Sequence, residues 1–410
     1  MPVDIEIRGI GPEEFDAYYT AVTRGFNEYP APEEVELERR LAEFERTFVA
    51  VDAGEIVAGA STASMRMTVP GSELPAAGIT SVGVSPTHRR RGVASALMRR
   101  QLDHVHERGE EPIAALHASE GGIYGRYGFG VATYDCRFEI ERERTAFLSV
   151  PHERGRVHLL EREEAFAAMA PVHDEVRRNT PGMIERRGPW LEYRFQDLES
   201  ERDGASAFFY ALHESPSVGI DAYAVYRFRH EWPEGMPVGE VIVEEVLAAD
   251  ADSFANMWRF VFDLDLSARI RGWGRPVDDP LIQLLVEPRR LRLRVRDGMW
   301  IRLVDVARAL AARRYGREDA LVFEVRDPLC PWNEGRVRLE GAPDGAACTA
   351  TAAESDLVLS ASELGAVYLG GVRFGQLARA GRVREETSGA LRRADAMFAW
   401  DPAPWCPDDF

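Results

Sequence analysis

The stretch AGITSVGVSPTHRRRGVASALMRR, residues 77–100, decides how the chain is read. Residues 77–85 read as a strand that stops at Pro86, and a helix is predicted from about Thr87 to His106. Early in that helix stand Arg89, Arg90 and Arg91, followed by Gly92, in a chain whose formal net charge is -18. A strand feeding such a helix suits phosphate. The N–H groups of a first helical turn have no partner within the helix, and the aligned peptide dipoles put partial positive charge there. Glycine lets an anion reach the backbone, and arginines add charge-assisted hydrogen bonds to its oxygens. A solvated basic helix end has the same composition. What separates the two readings is a second motif downstream, Tyr124-Gly125-Arg126-Tyr127-Gly128-Phe129.

At 410 residues the chain is longer than one ordinary domain. With 45% hydrophobic and 29% charged residues it has a globular balance. No apolar run is long enough to span a bilayer, and MPVDIEIRG lacks a basic-then-apolar leader, so a cytoplasmic protein without a membrane span is expected. Cys136, Cys330, Cys348 and Cys406 show no CxxC pairing, and His104 and His106 lie on different helix faces. Reduced thiols and no metal are expected. The acidic balance weighs against nucleic acid, which needs a basic face, and favours cationic ligands.

The first 140 or so residues alternate strand and helix patterns. A short strand at 5–8 precedes a helix opened by Pro12, with apolar positions Phe15, Tyr18, Val22 and Phe26. A second helical stretch follows, then strands at 47–54 and 55–69 joined at Ala53-Gly54. After the 77–100 stretch come a strand at 112–119, a short helix at 122–127 and a closing strand at 131–140. A linker is expected over 140–156. A second unit with a similar order of helices and strands follows, and from about 288 a strand, turn and helix open a third, α+β domain.

Arg89-Arg90-Arg91-Gly92-Val93-Ala94 resembles the Arg/Gln-x-x-Gly-x-Gly/Ala motif of the GNAT N-acetyltransferases, and Tyr124 to Phe129 resembles their late tyrosine motif. Taken over its whole length, the chain is similar to the enhanced intracellular survival (Eis) acetyltransferases of actinobacteria. That resemblance implies an α/β (α+β) fold: tandem GNAT-type domains with mixed sheets flanked by helices, and a sterol carrier protein-like C-terminal domain. The boundaries expected are 1–145, 146–287 and 288–410. It further implies acetyl-CoA as cosubstrate and a homohexamer. Carried over by residue, Val82, Gly83, Val84 and Ser85 hold the pantetheine. Arg89, Arg90, Arg91, Gly92, Val93, Ala94, Ser95 and Ala96 wrap the pyrophosphate, and Ser119 and Glu120 face the cofactor. Tyr124 matches the family's proton donor and the terminal carboxylate of Phe410 its base.

A cationic amine attacks a thioester only after losing a proton, so a carboxylate must take it; the leaving thiolate then needs one back, which a phenol can give. A backbone N–H near Val84 suits the oxygen that gains charge. Tyr127 competes with Tyr124 for the donor's role, although the spacing to Gly128-Phe129 favours Tyr124. Read alone, Ser119 and Glu120 also suit a helix start. For the acceptor, Phe26, Glu28, Asp408 and Asp409 are candidates, in a family whose pocket takes several amines such as aminoglycosides, polyamines or lysine side chains. The chain has no lysine of its own, a composition that a G+C-rich genome explains. In the second unit Asp250 and Asp252 stand where the first has its arginines and would repel a pyrophosphate, leaving one active site per chain. The competing reading is a non-catalytic lipid carrier or scaffold with a vestigial acetyl-CoA pocket.

Overall fold

Helix Phe15–Phe26 forms because its apolar side chains recur at three to four residues; Phe15, Tyr18, Tyr19 and Val22 are all buried. The computed structural model describes residues 5–149 and 155–410. Of the linker expected over 140–156, residues 150–154 lie outside the described residues. The chain divides into two compact units. One holds the chain up to Thr133, Met299–Asp401 and Asp409–Phe410; the other holds Tyr134–Gly298 and Pro402–Asp408.

The first unit contains a seven-stranded sheet. Its spatial order is Glu6–Gly9, Phe48–Asp52, Glu55–Val69, Ser72–Val84, Ile113–His117, Met299–Leu303 and Gly130–Val131. Ala53 and Gly54, both at positive φ, make the tight turn between the second and third of these. Ser72–Val84 runs parallel to Ile113–His117 only from Ala76 to Gly78. Beyond that point the two strands have no pairing. A five-stranded sheet in the same unit is made of Asp319–Arg326 and its neighbours, and its buried rings Phe323, Phe374 and Phe398 pack together.

Three strands sit in other sheets than the sequence suggests. Tyr134–Glu141, expected to close the first unit, pairs with Ser267–Pro276 in the second unit's seven-stranded sheet. The strand, turn and helix expected from about 288 begin instead with two strands: Arg294–Asp297 belongs to that second sheet, whereas Met299–Leu303 completes the first. Alternating polarity identifies a strand but not its partner, and the buried run Met299–Leu303 fits a central position on both faces.

In the second unit, Asp408 is buried: its carboxylate accepts from Arg186 Nε at 2.6 Å, while Glu245 takes the other side of the same guanidinium at 2.8 and 2.6 Å. The expectation of Asp408 as an acceptor-binding acid is corrected accordingly, since its charge is matched inside the unit. His173, on helix Arg162–Asn179, is buried nearby, and burial with the Arg186 charge lowers its imidazole to about 3. The unfolded chain, protonating this histidine near 6.5, then binds more protons than the folded one between those values. Stability therefore drops as pH falls through that window, by up to about 1.4 kcal/mol per pH unit. Melting curves from pH 7 downward are expected to show a shallower decline in His173→Gln than in the parent.

Candidate active site

The helix that follows the arginines starts later than the sequence suggests. Pro86–His88 is a separate short turn, Arg90 and Gly92 take positive φ of 60° and 83°, and the helix spans Val93–Arg108. Left-handed residues cannot continue an α-helix, so the arginines lie on the loop in front of it. Ala96 N–H makes the bond to Gly92 O at 3.0 Å, which leaves the N–H groups of Val93, Ala94 and Ser95 without acceptors inside the helix. No side chain caps this end. A Cβ on Gly92 would meet nothing within 4 Å.

These N–H groups border a cavity of about 600 Å³. Its wall includes Val82, Gly83, Val84, Arg89, Arg90, Gly92, Val93, Ala94, Ser95, Ser119, Glu120, Tyr124, Tyr127 and Phe26. Between the pairs Gly59–Gly83 and Ser61–Thr80 the strand Ser72–Val84 has an extra residue, with Ser81 at φ 52°. Such a bulge turns the end of a strand. Past Gly78 its edge has no strand partner on the side of Ile113–His117, so backbone groups remain for a ligand. The helix Phe15–Phe26 crosses this end closely: a Cβ on Gly83 would stand 2.5 Å from Val22 O, and one on Gly25 2.8 Å from Val84 N.

The three arginines divide their work. Arg89 donates to Gly25 O, and to Val84 O at 3.4 Å, bracing the helix end against the strand end. Arg91 reaches Asp52 at 3.4 Å, beside His88, whose Nε2 lies 3.0 Å from the same carboxylate. Arg90 is exposed and lines the cavity.

Tyr124 closes helix Gly121–Tyr124, is buried, and packs edge-on against Phe129 at 6.4 Å between ring centres. Burial raises its phenol above the ordinary value, with the Ser119 hydroxyl pulling the other way. Tyr127 also faces the cavity, but its hydroxyl is paired with Ser95 Oγ at 2.9 Å. Gly128 turns the chain back at φ 81°.

Other residues named from the sequence lie outside the cavity wall. Ser85 N–H bonds Val57 O at 2.9 Å, Ala96 is exposed on the first turn, and Glu28 is exposed beyond the helix end. Phe410 lies where the two parallel strands part. Its ring meets His117 edge-on at 5.1 Å, and a Cβ on Gly78 would stand 3.3 Å from its Cδ2. Asp409 is exposed, with Oδ1 3.5 Å from His117 Nδ1. No sequence motif marks His117; a polar residue at the last position of a buried strand is the available signal. Gly25, Asn27 and Ile123 also line the cavity without any sequence motif to mark them.

In the second unit the equivalent strand-to-helix step ends differently. Asp250 caps helix Ala251–Asp263, accepting from Asp252 N–H at 2.8 Å and Ser253 N–H at 2.9 Å. Its own carboxylate fills the place that an anion would take.

Among the described residues there is no cluster of metal-ligating side chains and no helix long and apolar enough to cross a membrane. Acetyltransferase (GNAT) domain models match residues 6–132 and 182–303, and a sterol carrier protein domain model matches 306–407. An uncharacterised N-acetyltransferase of Streptomyces coelicolor is 43% identical over 99% of this chain and 100% of its own length. N-acetyltransferase Eis of Mycobacterium tuberculosis is 32% identical over 95% of both chains. The crystal structure of Eis1 from Mycobacterium abscessus superposes with a TM-score of 0.85 at 33% identity, covering 99% of this chain and 100% of that one. With two GNAT domains, a sterol carrier protein domain and this full-length similarity, the chain belongs to the Eis family of N-acetyltransferases.

Proposed function

We propose that the protein transfers the acetyl group of acetyl-CoA directly to cationic primary amines, of the aminoglycoside, polyamine or lysine side-chain type. One observation carries the reading: the uncapped helix end after Gly92 and the buried phenol of Tyr124 line the same cavity. The cavity fits the cosubstrate. The open N–H groups of Val93, Ala94 and Ser95, with Arg90 beside them, suit a pyrophosphate, and Gly92 leaves room for it. The unpartnered strand edge at Val82 to Val84 suits the amide groups of the pantetheine arm. When bound, acetyl-CoA supplies an activated thioester.

The chain's own groups then handle protons. A carboxylate must take the proton of the ammonium acceptor, and Phe410, at the parting of the strands, is assigned this role through its terminal carboxylate. Tyr124 is assigned to give a proton to the departing sulfur. A phenol is protonated at physiological pH, as a donor requires, while burial strengthens its hold on that proton, so the transfer depends on close alignment with the sulfur. Acceptor recognition is assigned to Phe26, which is on the cavity wall, with Glu28 and Asp409 as exposed acids; the net charge of -18 suits a cationic acceptor. The family resemblance extends the reading to a cytoplasmic homohexamer, which sedimentation in solution tests.

The lipid-carrier reading has less support. Phe323, Phe374, Phe398, Tyr315 and Tyr368 are fully buried together with Arg313 in the segment matched by the sterol carrier family, so this interior is filled by side chains.

Four measurements test the proposal. Release of CoA thiol is to be followed with acetyl-CoA and kanamycin, spermine or a lysine peptide; no release with any of them overturns it. Tyr124→Phe is expected to lower kcat by about 100-fold with little change in the KM for acetyl-CoA. Gly92→Asp, which places a like charge at the helix end and strains a left-handed position, is expected to raise that KM by about 10-fold or more. A variant extended by several residues past Phe410 is expected to lose turnover while still binding acetyl-CoA; normal turnover there removes Phe410 from the mechanism.

A further inference from the structure

The turn that carries Tyr124 and Tyr127 is held from behind by residues far along the chain. Arg302, on the strand Met299–Leu303, is fully buried. Its Nη1 donates to the carbonyl of Tyr127, and its Nη2 reaches both oxygens of Asp327 at 2.8 and 2.6 Å. Asp327 is buried as well, and is itself oriented by Cys330 N–H and Asn333 Nδ2, each at 3.1 Å. Gly128 permits the approach: a Cβ there would run into Arg302 Nη1. One residue on, Ser362 Oγ donates to the Phe129 carbonyl at 2.9 Å, from a helix, Ala361–Val367, that is buried along its whole length.

Tyr127 is thereby gripped at two ends. Its carbonyl is tied to Arg302 and, through it, to Asp327 of the sterol carrier-type segment; its hydroxyl is paired with Ser95 on the first turn of the helix that borders the cavity. The guanidinium is planar and rigid, so a carboxylate that fixes one side of it fixes where the other side points. A residue three positions before Tyr127, Tyr124 moves with the turn. Displacing a proton donor by a fraction of an ångström is enough to slow a reaction that depends on its alignment.

We infer that Arg302 and Asp327 are positioning residues for the acetyl transfer: the C-terminal sterol carrier-type domain serves this enzyme as the rigid backing of its tyrosine turn. This rests on the assignment of Tyr124 as proton donor. It gives the domain a part in the chemistry that needs no lipid.

The test is a double-variant cycle on the full chain, followed by CoA-thiol release with acetyl-CoA and whichever amine of the panel above is turned over fastest. Asp327→Asn keeps the side chain's shape and removes its charge; kcat is expected to fall about 10-fold, with the KM for acetyl-CoA changed less than about 2-fold. Ser362→Ala, which removes a hydroxyl bonded to the Phe129 carbonyl and to Arg382 but spares the Arg302–Asp327 pair, is expected to lower kcat about 3-fold, and serves alone if Asp327→Asn does not fold. In a Tyr124→Phe background both losses are expected to vanish, because the donor being aligned is gone. Losses that persist at full size in that background overturn the inference and leave the Tyr124 assignment intact. A Tyr124→Phe enzyme with normal kcat overturns the assignment itself. Unchanged kcat in both Asp327→Asn and Ser362→Ala also refutes the positioning role.

Discussion

The strand Met299–Leu303 is the constraint on which the site's architecture depends. It enters the first sheet antiparallel to Ile113–His117 along its full length and also pairs with Gly130–Val131. Without it, the short strand after the tyrosine turn has no neighbour, since its pairing in the sheet is to Trp300 and Ile301. The chain thus returns, after the whole second unit, to finish the surface that carries Tyr124. The fit is close on both sides: Gly130 and Gly365 are needed where backbone meets backbone, and a Cβ on Gly130 would stand 2.5 Å from Ala366 N. A turn built this way has little freedom to drift, which suits the proton donor proposed for it.

The opposite wall of the cavity is made by divergence. Two parallel strands paired only from Ala76 to Gly78 separate, and a bulge at Ser81 bends the longer one further. Separation exposes an edge of unpaired backbone, which in most folds is covered or blunted. Here the exposed edge borders a cavity, and the helix Phe15–Phe26 approaches its far end through the two glycines Gly25 and Gly83. The left-handed Ser81 and Arg90 are the kind of backbone positions that a fold retains where a ligand needs a particular shape.

Much of this was legible in the chain, because the informative features are local. Phe15, Tyr18 and Val22 announce the first helix by their spacing, Ala53-Gly54 its hairpin, and HRRRGVA with YGRYGF the two sides of the cavity. What could not be read were long-range matters. The helix start at Val93 depends on the φ values of Arg90 and Gly92, which composition does not fix. The sheet to which Tyr134–Glu141 belongs depends on partners more than a hundred residues away. Asp408 looks like one of several acids near the chain end, and only its approach to Arg186 shows that it is buried and paired.

The two GNAT domains pose the same strand-to-helix step and resolve it in opposite ways. In the second, Asp250 satisfies two N–H groups of helix Ala251–Asp263 with its own carboxylate, an interaction worth about 1 kcal/mol to a helix. In the first, Gly92 occupies the corresponding place and offers no side chain, which forgoes about a few tenths of a kcal/mol and leaves three N–H groups open. A protein of net charge -18 has many carboxylates with which to cap a helix, and surrounds this one with arginines instead. The unfilled end and the local reversal of charge act together: the dipole and the guanidinium attract an anion, while the empty left-handed glycine admits it. What separates the two domains at this step is a helix end left open in one and closed by its own carboxylate in the other.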